Sequence, residues 1–398
     1  MRIATFTLAI IATCLSCVSG DARSDDLPAA AGKTFASGGF ERAALLDSGV
    51  PLVIKSRRVA GVGIAVIRGG RVVWTGYYGE QGPGVPATRE TLFNTASLAK
   101  SITAETVLRL VAQGKVSLDE SIAAYYVHPD LAGDPRYKKL TPRLILSHQP
   151  GLLNWGYLYK DNKLAFVADP GVRFGYSGAA YDILARFLEK KLHTDFETLV
   201  KKSVFDPIGM TNVSMKRRRS IDAHVTTPMN SNGVYEAPYT TSQPDWHHGT
   251  WSSASDLFVT VDDYAKFVIS VMKHEGLPPS LAAEQIRLHS SFVGAPEWEC
   301  APDSSLTCPD RYGFGLGWMV FEYGTTKIVW GGGNDSGENA MVYFSPNAPG
   351  DAAIVFVNGG NGVFAAPDII DLIDDTQKLG AYIRQLIDRH AHAKAPQQ

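Results

Sequence analysis

Ser97 and Lys100 stand three positions apart in Ser97-Leu98-Ala99-Lys100, a spacing that places both side chains on one face of a helix. Asn94 and Thr95 precede them, and both residue types suit a helix start. Ser97 is therefore expected at a helix N-terminus, where the macrodipole favours developing negative charge. A lysine buried beside it holds its proton weakly and can accept the serine proton, which makes the hydroxyl a nucleophile toward carbonyl carbon. The spacing alone is a weak signal, because a chain of this length holds on the order of one S-x-x-K by chance. Ser270-Val271-Met272-Lys273 is a second match, but it falls late in an expected helix with no N-terminus to activate it. The commoner meaning of either pair is a capping serine with an exposed lysine.

Two further segments offer partners. Tyr176, in Phe174-Gly175-Tyr176-Ser177-Gly178, directly precedes an expected helix, and a phenol there can relay a proton. Ile328-Val329-Trp330-Gly331-Gly332-Gly333-Asn334 reads as a strand ending in glycines, which lets a substrate backbone come close and frees N–H groups as oxyanion donors. Gly175 to Ala179 also approaches the G-x-S-x-G nucleophile elbow around Ser177. Asp169-Pro170-Gly171 leaves little room for the strand that an elbow needs, and its final glycine is Ala179. There is no H-E-x-x-H, P-loop or dinucleotide fingerprint, and Gly61-Val62-Gly63 leads into a strand rather than a helix. His247-His248 is an isolated pair, read as surface or structural rather than metal-binding. No metal or cofactor is expected.

Elements must position these residues. Val62 to Ile67 and Val72 to Tyr78 flank Gly69-Gly70 and read as a β-hairpin. Residues 37 to 50 read as a helix ending near Gly49. Helices are expected over Ser97 to Gln113, stopped by Gly114, over Ala179 to Leu192, and over Asp262 to His274. Strands return at Leu316 to Tyr323, Thr326 to Trp330, Ala340 to Phe344 and Ala352 to Asn358, and a final helix runs from about Ala366 to His390. Short links make the sheet antiparallel. A sheet drawn from both ends of the chain implies an inserted helical lobe. The expected fold is α/β (α+β): residues 35–390 form one domain, with the sheet part at about 35–96 and 311–390 and the lobe at about 97–310.

Among 398 residues, 38 Lys and Arg balance 40 Asp and Glu, and 45% are hydrophobic. That excludes a disordered chain and a multi-span membrane protein, and it argues against a dedicated nucleic-acid partner. Arg2 followed by an apolar run over residues 4 to 18 reads as an export signal, residues 1–22, with cleavage after Gly20 or Ala22. The run is too short to span a bilayer, so no membrane span is expected in the mature chain. A lipid anchor at Cys17 is the alternative, though Cys14 and Leu15 fit a lipobox poorly. Export to the periplasm or medium makes Cys300 and Cys308 an expected short-loop disulfide.

Taken in order, several segments resemble the serine β-lactamase-like hydrolases, the group of class C β-lactamases, DD-peptidases and family VIII esterases. They are Phe93 to Lys100, Ile145 to Leu152 (Ile-Leu-Ser-His-Gln-Pro-Gly-Leu), Phe174 to Tyr181, Phe205 to Met210 and Ser252 to Phe267. The resemblance runs from about residue 45 to 390. It implies Ser97, Lys100 and Tyr176 as catalytic residues and the N–H groups of Ser97 and Gly333 as the oxyanion hole. Trp330, Gly331 and Gly332 stand where the family carries K-T-G or H-x-G, and they are expected to contact substrate. Two positions depart from the pattern. Gly178 replaces the asparagine of Y-x-N, and Trp330 replaces a cationic or imidazole group, so a neutral or apolar substrate is expected.

The expected activity is hydrolysis of short-chain carboxylic esters through an acyl-enzyme, with weak β-lactam hydrolysis. The alternatives are a D-amino-acid peptidase, DD-carboxypeptidase or amidase, and a non-catalytic ligand-binding or sensor protein on the same fold. A small-molecule ester or amide is the expected partner, and the oligomeric state is left open.

Overall fold

The computed structural model describes residues 33–35, 40–236, 251–302, 308–346, 350–374 and 378–393. Its strands are β1 Lys33–Phe35, β2 Gly61–Arg68, β3 Arg71–Gly82, β4 Val85–Pro86, β5 Phe93–Asn94, β6 Val213–Ser214, β7 Phe258–Val259, β8 Ser290–Ser291, β9 Arg311–Phe314, β10 Met319–Tyr323, β11 Thr326–Asp335, β12 Glu338–Ser345 and β13 Asp351–Asn358. Its α-helices are α1 Ala43–Arg57, α2 Ala99–Ala112, α3 Pro142–Leu146, α4 Gly178–Leu192, α5 Phe196–Val200, α6 Asp206–Ile208, α7 Val261–Met272, α8 Pro279–Gln285, α9 Gly362–Ile373 and α10 Lys378–Ala393. No described helix is long and apolar enough to cross a membrane.

The main sheet runs β1-β3-β2-β13-β12-β11-β10-β9-β8, with every pair antiparallel. The hairpin β2–β3 turns at Gly69-Gly70, with φ of 56° and 71°. Both angles are left-handed, as a tight hairpin turn with the twist of its strands demands. β2 is apolar along its length because both its faces are covered. Val62, Ile64 and Val66 point to α1, α9 and α10, while Ala65 and Ile67 point to α7 and the helical lobe. The sheet thus carries two cores, one on each face. A small second sheet, β5-β7-β6, lies at the start of the lobe and leads the chain into the Ser97 turn.

Three element boundaries differ most from the sequence reading. The first helix does not stop at Gly49 but runs to Arg57, through Pro51, and ends on Arg58 at φ 53°. A Cβ on Gly49 would lie 2.7 Å from Leu372 Cδ1, so this glycine marks the close approach of α9 rather than a terminus. The last helix is two, since Asp374 turns extended (φ −133°) after α9. β11 continues through the glycines to Asp335, and none of Gly331, Gly332 and Gly333 has a left-handed φ.

Candidate active site

Residues 96–98 form a single 3₁₀ turn ahead of α2, in contact with β11. Asn94 Oδ1 accepts the Ala96 N–H at 3.2 Å, and the Thr95 carbonyl accepts the Leu98 N–H at 3.1 Å. Ala96 is held at φ 46°, a conformation that costs an L-residue free energy and persists only where its surroundings impose it. Neither Thr95 nor Leu98 caps the turn with its side chain. The Ser97 hydroxyl therefore stands at the head of α2, partly exposed.

Lys100, one turn on, is 3% exposed. Its ammonium lies 3.0 Å from Ser97 Oγ and donates to the Ala254 carbonyl at 2.8 Å. Aromatic rings surround it, with centroids 4.9 Å away for Tyr176 and 5.8 Å for both Trp155 and Tyr181. Burial lowers its pKa from 10.5 to about 7, against the opposing pull of Asp182. A large fraction of the amine is thus neutral near neutral pH, with a lone pair available to the Ser97 proton.

Asp182, partly buried on α4, organises the far side of this amine. Its carboxylate accepts the Ser253 N–H at 2.8 Å and the hydroxyls of Ser252 and Ser253 at 3.0 and 2.9 Å. Those bonds fix the segment that presents the Ala254 carbonyl to Lys100. Asp182→Ala leaves these donors without an acceptor, so a loss of about 3 kcal/mol in unfolding free energy is expected, read by urea titration. An unchanged denaturation midpoint contradicts it.

Tyr176 sits just before α4. The next residue, Ser177, is the N-cap: its Oγ accepts the Ala180 N–H at 3.2 Å and donates to the Leu153 carbonyl at 2.9 Å. Both functions of that buried hydroxyl are used, so Ser177 is a cap and not an elbow nucleophile. Asn154 completes the cap, its Oδ1 accepting the Gly178 N–H at 2.7 Å. The Tyr176 ring stacks on His148 at 4.1 Å, and His148 Nδ1 accepts the Ser177 N–H at 3.1 Å. Burial and then Lys100 push the His148 pKa well below its ordinary value, so the imidazole is neutral. Burial raises the Tyr176 pKa above the ordinary tyrosine range, against the opposing effect of the Ser97 side chain. Near neutral pH the phenol keeps its proton. Of the two candidate bases, Lys100 is the one with a lone pair to offer.

β11 carries the remaining candidates. Two-residue links, Gly324-Thr325 and Ser336-Gly337, join it to β10 and β12. The residues flanking such a link exchange both backbone bonds, and the exchange then recurs at every second pair. Counting from either hairpin gives one answer. Thr326, Ile328 and Trp330 bond toward β10, while Val329, Gly331, Gly333 and Asp335 bond toward β12. Gly332 and Asn334 lie beyond the last pairing with β10 at Trp330.

This corrects two expectations. Gly333 is not the outward donor, because its N–H points to Ala340. It is instead the point of closest approach: a Cβ there would lie 2.0 Å from the Thr95 carbonyl and 2.8 Å from the Ser97 nitrogen. Trp330 points to the face opposite Gly331 and Gly333, where its ring meets Phe321 at 6.2 Å. It is 7% exposed in the core formed with the terminal helices, and the structure does not bring it to Ser97. Gly331 faces Leu98 and Trp318, and Gly332 lies against the Trp330 indole. The strand therefore presents Ser97 with backbone and no cation.

Ser270 is buried and accepts a hydrogen bond from Arg109 at 2.9 Å, away from any helix start. The sulfurs of Cys300 and Cys308 meet, with Cα atoms 5.8 Å apart. Residues 1–22, including Cys17, and His247-His248 lie outside the described residues. Among the described residues no group of three or more His, Cys, Asp or Glu could hold a metal ion.

The Beta-lactamase family model matches residues 42–378. The chain belongs to the beta-lactamase family. Within this family it is 26% identical to "Esterase EstB" of Burkholderia gladioli over 302 residues, 64% of this chain and 76% of that one. It is 21% identical to "Protein flp" of Staphylococcus aureus (strain MRSA252), over 70% of this chain and 58% of that one. The chain thus spans less than two thirds of the length of Protein flp. Two solved structures share the fold. The octameric penicillin-binding protein homologue from Pyrococcus abyssi superposes with a TM-score of 0.65 at 21% identity, covering 81% of this chain and 75% of that one. The D-alanine carboxypeptidase AmpC from Burkholderia cenocepacia gives 0.64 at 19% identity, covering 83% and 99%.

Against this beta-lactamase-family background, sequence reasoning missed Asp182, Asn154 and Trp155 as parts of the site. Asp182 looked like an ordinary polar position of α4. Its signal lay in Ser252-Ser253, paired donors that need a buried acceptor.

Proposed function

We propose that this beta-lactamase-family hydrolase cleaves short-chain carboxylic esters through an acyl-enzyme on Ser97. The observation that carries this reading is a buried Lys100, its pKa lowered to about 7, with its nitrogen 3.0 Å from Ser97 Oγ. Neutral Lys100 takes the hydroxyl proton as Ser97 Oγ bonds to the ester carbonyl carbon. The resulting oxyanion is held by the Ser97 N–H at the head of α2, with the backbone of β11 closing the other side. As the tetrahedral centre collapses, the alcohol leaves with a proton from Tyr176, which Lys100 replenishes. Water then repeats the sequence on the acyl-Ser97 carbonyl and regenerates the free hydroxyl.

An ester is favoured over an amide or a carboxylated β-lactam because no side chain of β11 offers a cation toward Ser97, and Gly178 offers no amide. The same reading includes export, with Cys300 and Cys308 oxidised outside the cytoplasm.

The test is turnover of p-nitrophenyl butyrate, nitrocefin and a D-Ala-D-Ala peptide by the parent, Ser97→Ala and Ser177→Ala. Ester turnover that is fastest in the parent, lost in Ser97→Ala and retained in Ser177→Ala is expected. Preferential turnover of the peptide replaces the reading with a carboxypeptidase. Activity that survives in Ser97→Ala refutes the S-x-x-K mechanism.

A further inference from the structure

Gly178 lies where a side chain is excluded by a neighbour rather than by its own backbone. A Cβ there would sit 2.5 Å from Trp155 Cη2 and 2.6 Å from its Cζ2. The benzo ring of the indole therefore lies against the first residue of α4. Its backbone is pinned: the Asn154 carbonyl accepts the Ala179 N–H at 2.8 Å, and Asn154 Oδ1 accepts the Gly178 N–H at 2.7 Å. The same ring has its centroid 5.8 Å from Lys100 Nζ, which is itself 3.0 Å from Ser97 Oγ. Trp155 is only partly buried, so one side of the indole is open to the cleft. Two residues on, Tyr157 is 65% exposed, and burial and then the charge of Asp335, at the end of β11, raise its pKa. The turn carrying Trp155 and Tyr157 thus stands across the cleft from the oxyanion strand.

We propose that Trp155 is the residue that sets substrate range: its indole takes the room vacated at Gly178 and forms an apolar wall beside Ser97 that admits a short, uncharged acyl chain. This rests on the ester reading above. An indole face gains from apolar contact and has no hydrogen bond to give a peptide group across its face, so it selects by fit and desolvation. Each methylene that must pass the wall, or that packs once the wall is removed, changes binding by about fourfold. The glycine and the tryptophan form one device, because either residue enlarged or removed changes the same volume.

The experiment measures kcat/KM for p-nitrophenyl acetate, butyrate and octanoate with the parent, Trp155→Ala, Gly178→Ala and the double variant. Trp155→Ala is expected to raise the octanoate-to-acetate ratio by about tenfold or more. Gly178→Ala, whose methyl displaces the indole, shifts the ratio in the same direction, and adds nothing in the Trp155→Ala background. Opening the wall also hydrates Lys100, so the acid limb of the pH profile moves upward in Trp155→Ala. If Trp155→Ala fails to fold, Trp155→Phe gives an intermediate ratio. An unchanged ratio in a folded variant, or an effect of Gly178→Ala that is the same with and without the indole, overturns the proposal. A parent inactive on every ester refutes the ester reading instead; the wall is then read from the rates at which ethyl and octyl fluorophosphonates label Ser97, with the same change in ratio expected.

Discussion

Lys100→Met is expected to lower kcat/KM on p-nitrophenyl butyrate by about 10⁴-fold, and at the same time to raise the melting temperature. The first effect follows from the loss of the lone pair that takes the Ser97 proton. Tyr176 cannot replace it, since its burial holds the phenol protonated at neutral pH. The second effect follows from the cost of burying an amine. The unfolded lysine titrates near 10.5 and the folded one near 7. Between those values the unfolded chain binds a proton that the folded chain does not, so stability rises with pH across that window. Below about pH 7 the full cost is present, and above 10.5 it is gone. A methionine has no such cost, so the variant is the more stable protein below that window, by an expected 2 °C or more, and lacks this part of the pH dependence. Scanning calorimetry at pH 6 and pH 9 reads it. In the parent, kcat/KM should rise with pH through about 7 as Lys100 loses its proton. A variant that is inactive and also less stable at pH 6 contradicts the view that Lys100 is strained for function.

Gly333→Ala is expected to cost about 10² to 10³-fold in kcat while leaving KM within a few-fold. A methyl 2.0 Å from the Thr95 carbonyl and 2.8 Å from the nitrogens of Ser97 and Leu98 must push the nucleophile turn off β11. Every atom it meets is backbone, so no rotamer change relieves the contact. Ser97 N–H then leaves the place where the oxyanion forms, and one such donor is worth about 2.7–4 kcal/mol. Overpacking adds about 1–3 kcal/mol of destabilisation. Gly332→Ala is the control. Its methyl points to the other face, 3.0 Å from Trp330 Cζ2, a side chain that can shift, and activity within about threefold of the parent is expected. Equal losses in the two variants would show that the glycines serve strand flexibility and not the approach of β11 to Ser97.

Much of this site was legible before any coordinates. Ser97 and Lys100 are close because a three-residue spacing on a helix fixes their separation, and Tyr176 is placed because α4 starts beside it. The apolar runs of β2, β12 and β13 are legible because both faces of the central sheet are covered. What failed has a common cause, namely choices that only tertiary contact makes. A strand alternates every residue, so a slip of one position moves a side chain or an N–H to the wrong side. Trp330 and Gly333 were both misplaced in that way, and only the hairpin register settles them. Gly49 read as a stop because the sequence does not show Leu372 packing against it. Trp155 carries no periodicity at all, and its meaning depends on Gly178, a residue remote in sequence and legible there only as an absence.

The central claim is that Ser97 is acylated with Lys100 as its base. The direct measurement is rapid acid quenching of the enzyme during turnover of p-nitrophenyl butyrate, followed by mass spectrometry of the digested chain, at a series of pH values. One butyryl group is expected on the peptide containing Ser97, formed at a rate that rises through about pH 7, and none in Lys100→Met. A butyryl group on the peptide containing Ser177, or no covalent intermediate under rapid turnover, would contradict it.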